Sequence, residues 1–119
     1  MKRSVLAAFL AVPAMAAAHH ERGEYDSSKL VKLTGKIVES AFENPHSRVR
    51  LETIGEGATA GKTWNVVLAP LSRMKHRGLD QAALKPGTTA TVEGYPNRGK
   101  PGELRAERIT VNGKTVELR

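Results

Sequence analysis

Apolar and polar residues alternate with a period of two along most of the chain after residue 18, a pattern typical of β-strands with one buried face. Five segments follow this pattern and are predicted as strands: residues 31–37, 48–53, 64–68, 89–94 and 104–111. The tight-turn pair Asn112 and Gly113 follows the fifth segment. It predicts that residues 115–118 fold back as a short sixth strand.

The first predicted strand changes phase along its length. The apolar residues Leu33 and Ile37 share one parity, whereas Val38 and Phe42 share the other. This change predicts a β-bulge or strong coiling after Ile37, with Gly35 easing the bend. A strand that bends in this way can belong to both sheets of a small barrel.

The hydrophobic period changes at Pro70, where we predict one short helix. Leu71 and Met74 lie three residues apart, and Gly78 has the position of a residue that ends a helix. Three strands, a short helix and two strands is the element order of an OB-fold, a five-stranded Greek-key barrel. We therefore predict a mainly β protein with a small OB-fold-like barrel and one short helix between strands 3 and 4. A simple five-stranded meander or half-sandwich has the same elements and is the alternative.

The first 18 residues have the layout of a secretory signal peptide. Lys2 and Arg3 form a positive start, residues 5–12 form an apolar run, and small residues follow Pro13 at cleavage spacing. The apolar run is shorter than the roughly 20 residues that a membrane-spanning helix needs. The pattern therefore predicts export rather than membrane anchoring.

Export divides the chain into two parts. Residues 1–18 are predicted to be removed, and residues 19–119 to form a single OB-like domain without a membrane span, periplasmic or secreted. Cleavage after Ala16 satisfies the small-residue rule as well as cleavage after Ala18. Both mature chains therefore have to be considered.

Composition narrows the possible functions. The 119 residues include 19 Lys and Arg, 12 Asp and Glu and no Cys, with a formal net charge of +7. The lack of Cys excludes disulfides, thiolate metal sites and cysteine nucleophiles. No serine-hydrolase elbow, phosphate-binding loop or His-Glu-x-x-His motif is present, so we predict that the protein is not an enzyme. One Trp, two Tyr and two Phe are too few to provide stacking between the charges, which excludes nucleic acid as a partner.

Histidine offers the best metal ligands. A mature start at His19 puts an α-amine and an imidazole on one residue, with His20 next. A start at Ala17 puts His19 third, where amine, amides and imidazole can form a square plane, an arrangement that favours Cu(II) or Ni(II). His46 is the candidate assisting ligand, and copper the candidate cofactor. The alternative is that the first two histidines mark a tail left by cleavage and that His46 serves the turn after Pro45.

Basic side chains form two candidate partner-binding groups. Arg48 and Arg50 share the outward face of the second predicted strand, and Arg73, Lys75 and Arg77 lie on the predicted helix. These five cations can dock an acidic component of the cell envelope, an interaction that salt would weaken. The alternative for the helix is a favourable interaction of its cations with the helix dipole.

An ordered series of short motifs spans the predicted mature domain. The series is Ala18-His19-His20, Gly35, Asn44-Pro45-His46, Trp64, Pro70, Arg77-Gly78, Leu84-Lys85-Pro86-Gly87 and Val92-Glu93-Gly94. In this order it resembles a family of small exported bacterial proteins known only as a domain of unknown function. The resemblance implies the fold and location predicted above and brings no activity. Val67 departs from the acidic residue common at its position in that family, and Leu79 from the common aromatic residue.

Taken together, the patterns predict an exported, non-catalytic binding protein of the cell envelope. The first hypothesis for its ligand is Cu(II), captured by the N-terminal histidines with the help of His46. The second is a metal-independent docking of an acidic envelope component to the basic surface.

Overall fold

A computed structural model describes residues 23–55 and 61–119 of the protein. The predicted signal peptide, His19 and His20 lie outside the described residues, and so does most of the loop after Gly55. The elements, in chain order, are β1 (Val31–Ala41), β2 (Arg48–Thr53), β3 (Thr63–Val67), helix α1 (Leu71–His76), a 3₁₀ turn (Gln81–Leu84), β4 (Thr89–Pro96), β5 (Glu103–Val111) and β6 (Lys114–Glu117).

The strands close into a barrel. They follow the order β3-β2-β1-β4-β5-β6 in one sheet, and β3 also pairs with β5. This closing ladder is parallel and runs from Asn65 opposite Glu103 to Val67 opposite Arg105. The closed five-stranded barrel with a short helix after β3 confirms the predicted fold, and the closure excludes the meander and the half-sandwich. β6 extends the sheet as the hairpin partner of β5.

β1 serves both halves of the barrel, because it pairs with β4 along its first part and with β2 along its second. Its register with β2 shifts between Ile37 and Glu39, which confirms the predicted bulge. Gly35 lies where the two pairings overlap, and a Cβ there would lie 2.8 Å from the carbonyl carbon of Glu52 on β2. Glycine is therefore required here because the backbones of two strands approach closely. This is a stronger reason than the predicted one, that glycine eases the bend.

The barrel encloses an aliphatic core. Its largest fully buried side chains include Leu33, Ile37, Leu51, Leu68, Met74, Leu84, Leu104, Ile109 and Leu118. Helix α1 contributes Met74 to this cluster, and the 3₁₀ turn contributes Leu84. Trp64 on β3 is half-buried and packs against the margin of the cluster.

Turns form at the predicted glycines. Gly78 follows α1 with φ +93, Gly87 has φ +95, and Asn112 and Gly113 have φ 53 and 77 in the β5–β6 hairpin. The 3₁₀ turn was not predicted, because four residues are too few to display a helical period. Within residues 23–55 and 61–119, no helix is long and apolar enough to cross a membrane.

Candidate functional site

The most structured surface feature is a cleft where the β1–β2 loop and the β4–β5 loop meet the first residues of β2 and β5. It has a volume of about 240 Å³. Charged and polar side chains dominate its lining: Glu24, Tyr25, His46, Arg48, Lys100, Glu103 and Arg105. These residues come from five separate segments of the chain. In OB-fold proteins the same surface, formed by strands 2 and 3 and flanked by these two loops, binds oligonucleotides or oligosaccharides.

The carboxylate of Glu103 is the centre of a hydrogen-bond network. Its Oε2 accepts bonds from the Tyr25 hydroxyl at 2.6 Å and from the Asn97 side-chain amide at 2.9 Å. Its Oε1 lies 3.9 Å from Nη1 of Arg48. The side chain of Glu103 is only 11% exposed, so these partners stabilise a charge that would otherwise be poorly solvated. The network fixes the floor of the cleft.

Tyr25 is held in its protonated form. Burial and the hydrogen bond to Glu103, followed by the negative charge of that carboxylate, raise the pKa of Tyr25 to about 12. At neutral pH the phenol is therefore a hydrogen-bond donor. The guanidinium carbon of Arg105 lies 5.9 Å from the centre of the Tyr25 ring, a cation–π contact on the wall of the cleft.

The segment before β1 is attached along the β4–β5 loop. The backbone N–H of Arg98 donates to the carbonyl of Glu24 at 2.7 Å, and that of Asp26 donates to the carbonyl of Pro96 at 2.9 Å. Between these two bonds, Tyr25 forms a β-bridge with Asn97. The beginning of the described chain is thus one wall of the cleft.

Asn97 organises the neighbouring loop. Its side-chain oxygen accepts bonds from the backbone N–H groups of Gly99 at 2.9 Å and Lys100 at 3.0 Å, while its amide donates to Glu103. One buried side chain therefore sets the position of the loop relative to the carboxylate. Lys100 lines the cleft as part of that loop.

Two arginines have buried guanidinium nitrogens without a hydrogen-bond partner among the described residues. The atoms without a partner are Nε of Arg105, and Nε and Nη2 of Arg119. Burial, and then the charge of nearby Arg105, lower the pKa of Arg119 to about 10. Buried guanidinium groups are normally hydrogen-bonded, so these nitrogens have unused donor capacity beneath the surface, although Nε of Arg119 lies 3.8 Å from the carboxylate of Glu107.

The two arginines predicted on β2 point outward, as the alternation required. Arg48 lines the cleft and its side chain is half-exposed. Arg50 is equally exposed and lies 3.2 Å from the carboxylate of Glu39 on β1, measured from Nη1 to Oε1. The fold therefore brings Arg48, but not Arg50, to the cleft itself.

The cations of α1 are arranged differently. Arg73 donates to the carbonyl of Leu118 at 3.1 Å, and Arg77 donates to the carbonyls of Glu117 at 2.8 Å and Arg119 at 3.0 Å. Lys75 is exposed. None of the α1 cations lines the cleft, and two of them fasten the chain around β6 to the helix.

His46 is a half-buried residue of the β1–β2 loop, and it lines the cleft after a cis peptide bond between Asn44 and Pro45. His19 and His20, the other predicted metal ligands, lie outside the described residues. Within the described ranges, no three His, Asp or Glu side chains are grouped so that they could hold a metal ion.

Sequence reasoning missed Tyr25, Asn97, Glu103 and Arg105. A usable signal existed for β5, because Glu103 and Arg105 alternate with buried residues and must point outward. No local pattern indicated that Tyr25 would meet Glu103, which is 78 residues away.

Comparison with known proteins gives a family and no activity. A family model described as a family of unknown function (DUF6152) matches residues 7–105, a range that includes every residue lining the cleft. No curated protein matches the chain.

Proposed function

The chain belongs to the DUF6152 family of unknown function, and we propose that it is a non-catalytic binding protein of the cell envelope whose cleft holds a carboxylate-bearing ligand. The observation that carries this proposal is the convergence of Arg48, Lys100 and Arg105 on one cleft, with Nε of Arg105 buried and without a hydrogen-bond partner in the described chain. Glu24 and Glu103, which also line the cleft, offset two of these three positive charges, so a net positive charge remains.

The chemistry of arginine supports a carboxylate as the ligand. A guanidinium group presents a planar set of donors that matches the two oxygens of a carboxylate. Arg48 is 3.9 Å from Glu103, longer than a hydrogen bond, so its donors remain available for a ligand. A ligand carboxylate between Arg48 and Arg105 would use donors from both.

The state of the polar groups supports binding rather than catalysis. Tyr25 keeps its proton at neutral pH because its pKa is about 12, and it shares that proton in a bond to Glu103. Neither group is arranged to remove a proton from a substrate. The predicted signal peptide supports an envelope location, which the intact mass of the exported protein would test by revealing its first residue.

Replacing the cleft arginines is expected to weaken binding of small acidic probes. For Arg48→Gln and Arg105→Gln, we expect the Kd for digalacturonate or di-glutamate to rise about tenfold or more, because each variant removes a charge-assisted hydrogen bond worth about 1.5–3 kcal/mol. Isothermal titration calorimetry of native and variant proteins measures the change. Binding by the native protein should also weaken as salt is added.

Lys32→Gln is the matched control, because it removes one positive charge from an exposed residue of β1 that does not line the cleft. This substitution changes the overall charge but no residue of the cleft, so the Kd of each probe should stay within about twofold of the native value. Equal binding of both probes by the native protein and the Arg48/Arg105 double variant would overturn the proposal.

A second candidate ligand is Cu(II), favoured by the position of His46. The described chain begins beside the cleft that His46 lines, since residues 24–26 are attached to the β4–β5 loop. His20 precedes Gly23 by three residues, a contour length of about 10 Å. His19 and His20 are thus close enough in the chain to join His46 as imidazole ligands, a donor set that suits Cu(II).

Copper titration of the exported protein tests this candidate. We expect His19→Ala and His46→Ala each to raise the Kd for CuCl₂ at least about tenfold, equivalent to about 1.4 kcal/mol. His76→Ala, on exposed α1, is the control and should leave the Kd unchanged. Equal, weak copper binding by all four proteins would exclude a copper site.

Addition of EDTA separates the two candidate functions, because it removes copper and leaves the binding of acidic probes intact.

A further inference from the structure

A second depression continues the cleft along the outward face of the barrel. It has a volume of about 160 Å³ and is lined by Glu39, Ala41, Arg48, Val49, Arg50 and Asn65. Arg48 lines both depressions. The two depressions therefore adjoin at Arg48, and together, as the groove, they extend from the β4–β5 loop to the end of β1.

Each of the two arginines of β2 has a carboxylate beside it, on opposite sides of the strand. Arg48 lies beside Glu103, and Arg50 beside Glu39, with nitrogen–oxygen distances of 3.9 and 3.2 Å. Arg48 and Arg50 are two residues apart on one strand, so their Cα atoms are separated by about 6.6 Å on the same face. The groove therefore repeats a pair of one cation and one anion.

The exposed pair of Arg50 and Glu39 can exchange partners. The Arg50 side chain is 52% exposed and that of Glu39 is 62% exposed. Exposed ion pairs contribute little to stability, so a ligand can replace either partner without disturbing the fold. Asn65, exposed on β3 directly opposite Arg50, adds an amide that both donates and accepts.

The carboxylates beside the two arginines select among acidic polymers. A phosphate or sulfate polymer presents only negative charge, and Glu39 and Glu103 would repel it. A glycan that contains uronic acids presents carboxylates to the arginines and hydroxyl donors to the glutamates and Asn65. Between Arg48 and Arg50 the lining contains no aromatic side chain for base stacking, which disfavours nucleic acid.

We infer that the groove binds a linear acidic oligosaccharide, with one uronate between Arg48 and Arg105 and a later uronate at Arg50. This inference rests on the proposed function and extends it from a single carboxylate to a chain of sugars. It uses the surface through which barrels of this fold bind oligosaccharides.

The length of the ligand is the decisive variable. Calorimetry with oligogalacturonides of increasing length measures this dependence. For the native protein, the Kd of the hexamer should be at least about tenfold lower than that of the dimer, because one hexamer can occupy both the Arg48–Arg105 site and the Arg50 site. In Arg50→Gln the dimer should bind with the native Kd, whereas the increase in affinity from dimer to hexamer should be lost. Arg48→Gln should weaken the dimer and the hexamer alike.

Matched probes test the chemical class. A fully methyl-esterified hexamer has the same sugar chain without charge and should bind at least about tenfold more weakly. Polyphosphate, hexa-glutamate and a single-stranded oligonucleotide of equal charge should each bind more weakly than the hexagalacturonide. Thermal unfolding of Arg50→Gln and Arg48→Gln shows whether each variant retains the fold.

Failure of this inference is distinguishable from failure of the proposed function. A native protein that binds the dimer through Arg48 and gains nothing with length would overturn the extended groove and leave the carboxylate cleft intact. Binding of polyphosphate or the oligonucleotide as tightly as the hexagalacturonide would overturn the assignment to an acidic sugar. Absence of binding to every acidic probe would overturn both.

Discussion

Gly94→Ala is expected to lower the free energy of unfolding by about 3 kcal/mol or more, because β4 and β5 are too close at this residue to accept a side chain. A Cβ at Gly94 would lie 2.7 Å from the Cα of Ala106 and 2.7 Å from the carbonyl carbon of Arg105. Both are backbone atoms, so no rotamer change can relieve the contact. The variant has to open the barrel or shift the register of the β4–β5 ladder.

Urea denaturation followed by circular dichroism measures this loss. Gly23→Ala is the matched control, because no atom of the described residues, its chain neighbours aside, lies within 4 Å of the added methyl group. We expect its stability to change by less than about 0.5 kcal/mol. Gly35→Ala should resemble Gly94→Ala, since its Cβ would meet backbone atoms of Glu52 and Thr53. Equal midpoints for Gly94→Ala and Gly23→Ala would contradict the role of close strand approach.

Glu103→Ala is expected to lower the free energy of unfolding by about 2–4 kcal/mol. The substitution leaves the Tyr25 hydroxyl and the Asn97 amide without their acceptor, and each unpaired buried donor is destabilising by about 1–3 kcal/mol. Glu103→Gln retains one acceptor oxygen and should be destabilised less. Glu52→Ala, an exposed carboxylate on β2, is the control and should change stability by less than about 0.5 kcal/mol.

Tyrosine absorbance gives an independent test of the same network. In a Tyr95→Phe background Tyr25 is the only tyrosine, and Glu103→Gln should lower its pKa from about 12 toward 10.0. The raised pKa in the folded state also means that its contribution to stability is complete below pH 10 and is lost as the pH rises through 12. An unchanged tyrosine titration in Glu103→Gln would contradict the hydrogen bond.

The strands and helix α1 were predictable because each leaves a local pattern. Alternation marked the strands, the change of parity after Ile37 marked the bulge, and Pro70 and Gly78 bounded the helix. The order of these elements favoured a barrel, and the closing pairing of β3 with β5 distinguished it from a meander or half-sandwich. The reason for Gly35 was not predictable, because the atom that excludes a side chain belongs to a different strand.

The candidate site was predictable only in part. Arg48 was found because outward residues of a strand are evident from alternation, and His46 because its motif is conspicuous. Tyr25 and Glu103 are separated by 78 residues and meet only after the barrel closes. For Arg73 and Arg77, charge alone predicted a docking surface, whereas their donors bond the carbonyls of residues 117–119.

The hairpin of β5 and β6 has a consequence for behaviour at high concentration. β6 ends the sheet, and an uncovered outer strand offers carbonyls that another molecule can use to extend it. Arg77 occupies the carbonyls of Glu117 and Arg119, and Lys114 reaches across to the carbonyl of Gly78. Lys114 and Arg77 thus place positive charge at the beginning and the end of this outer strand, an arrangement that disfavours edge-to-edge pairing with a second molecule.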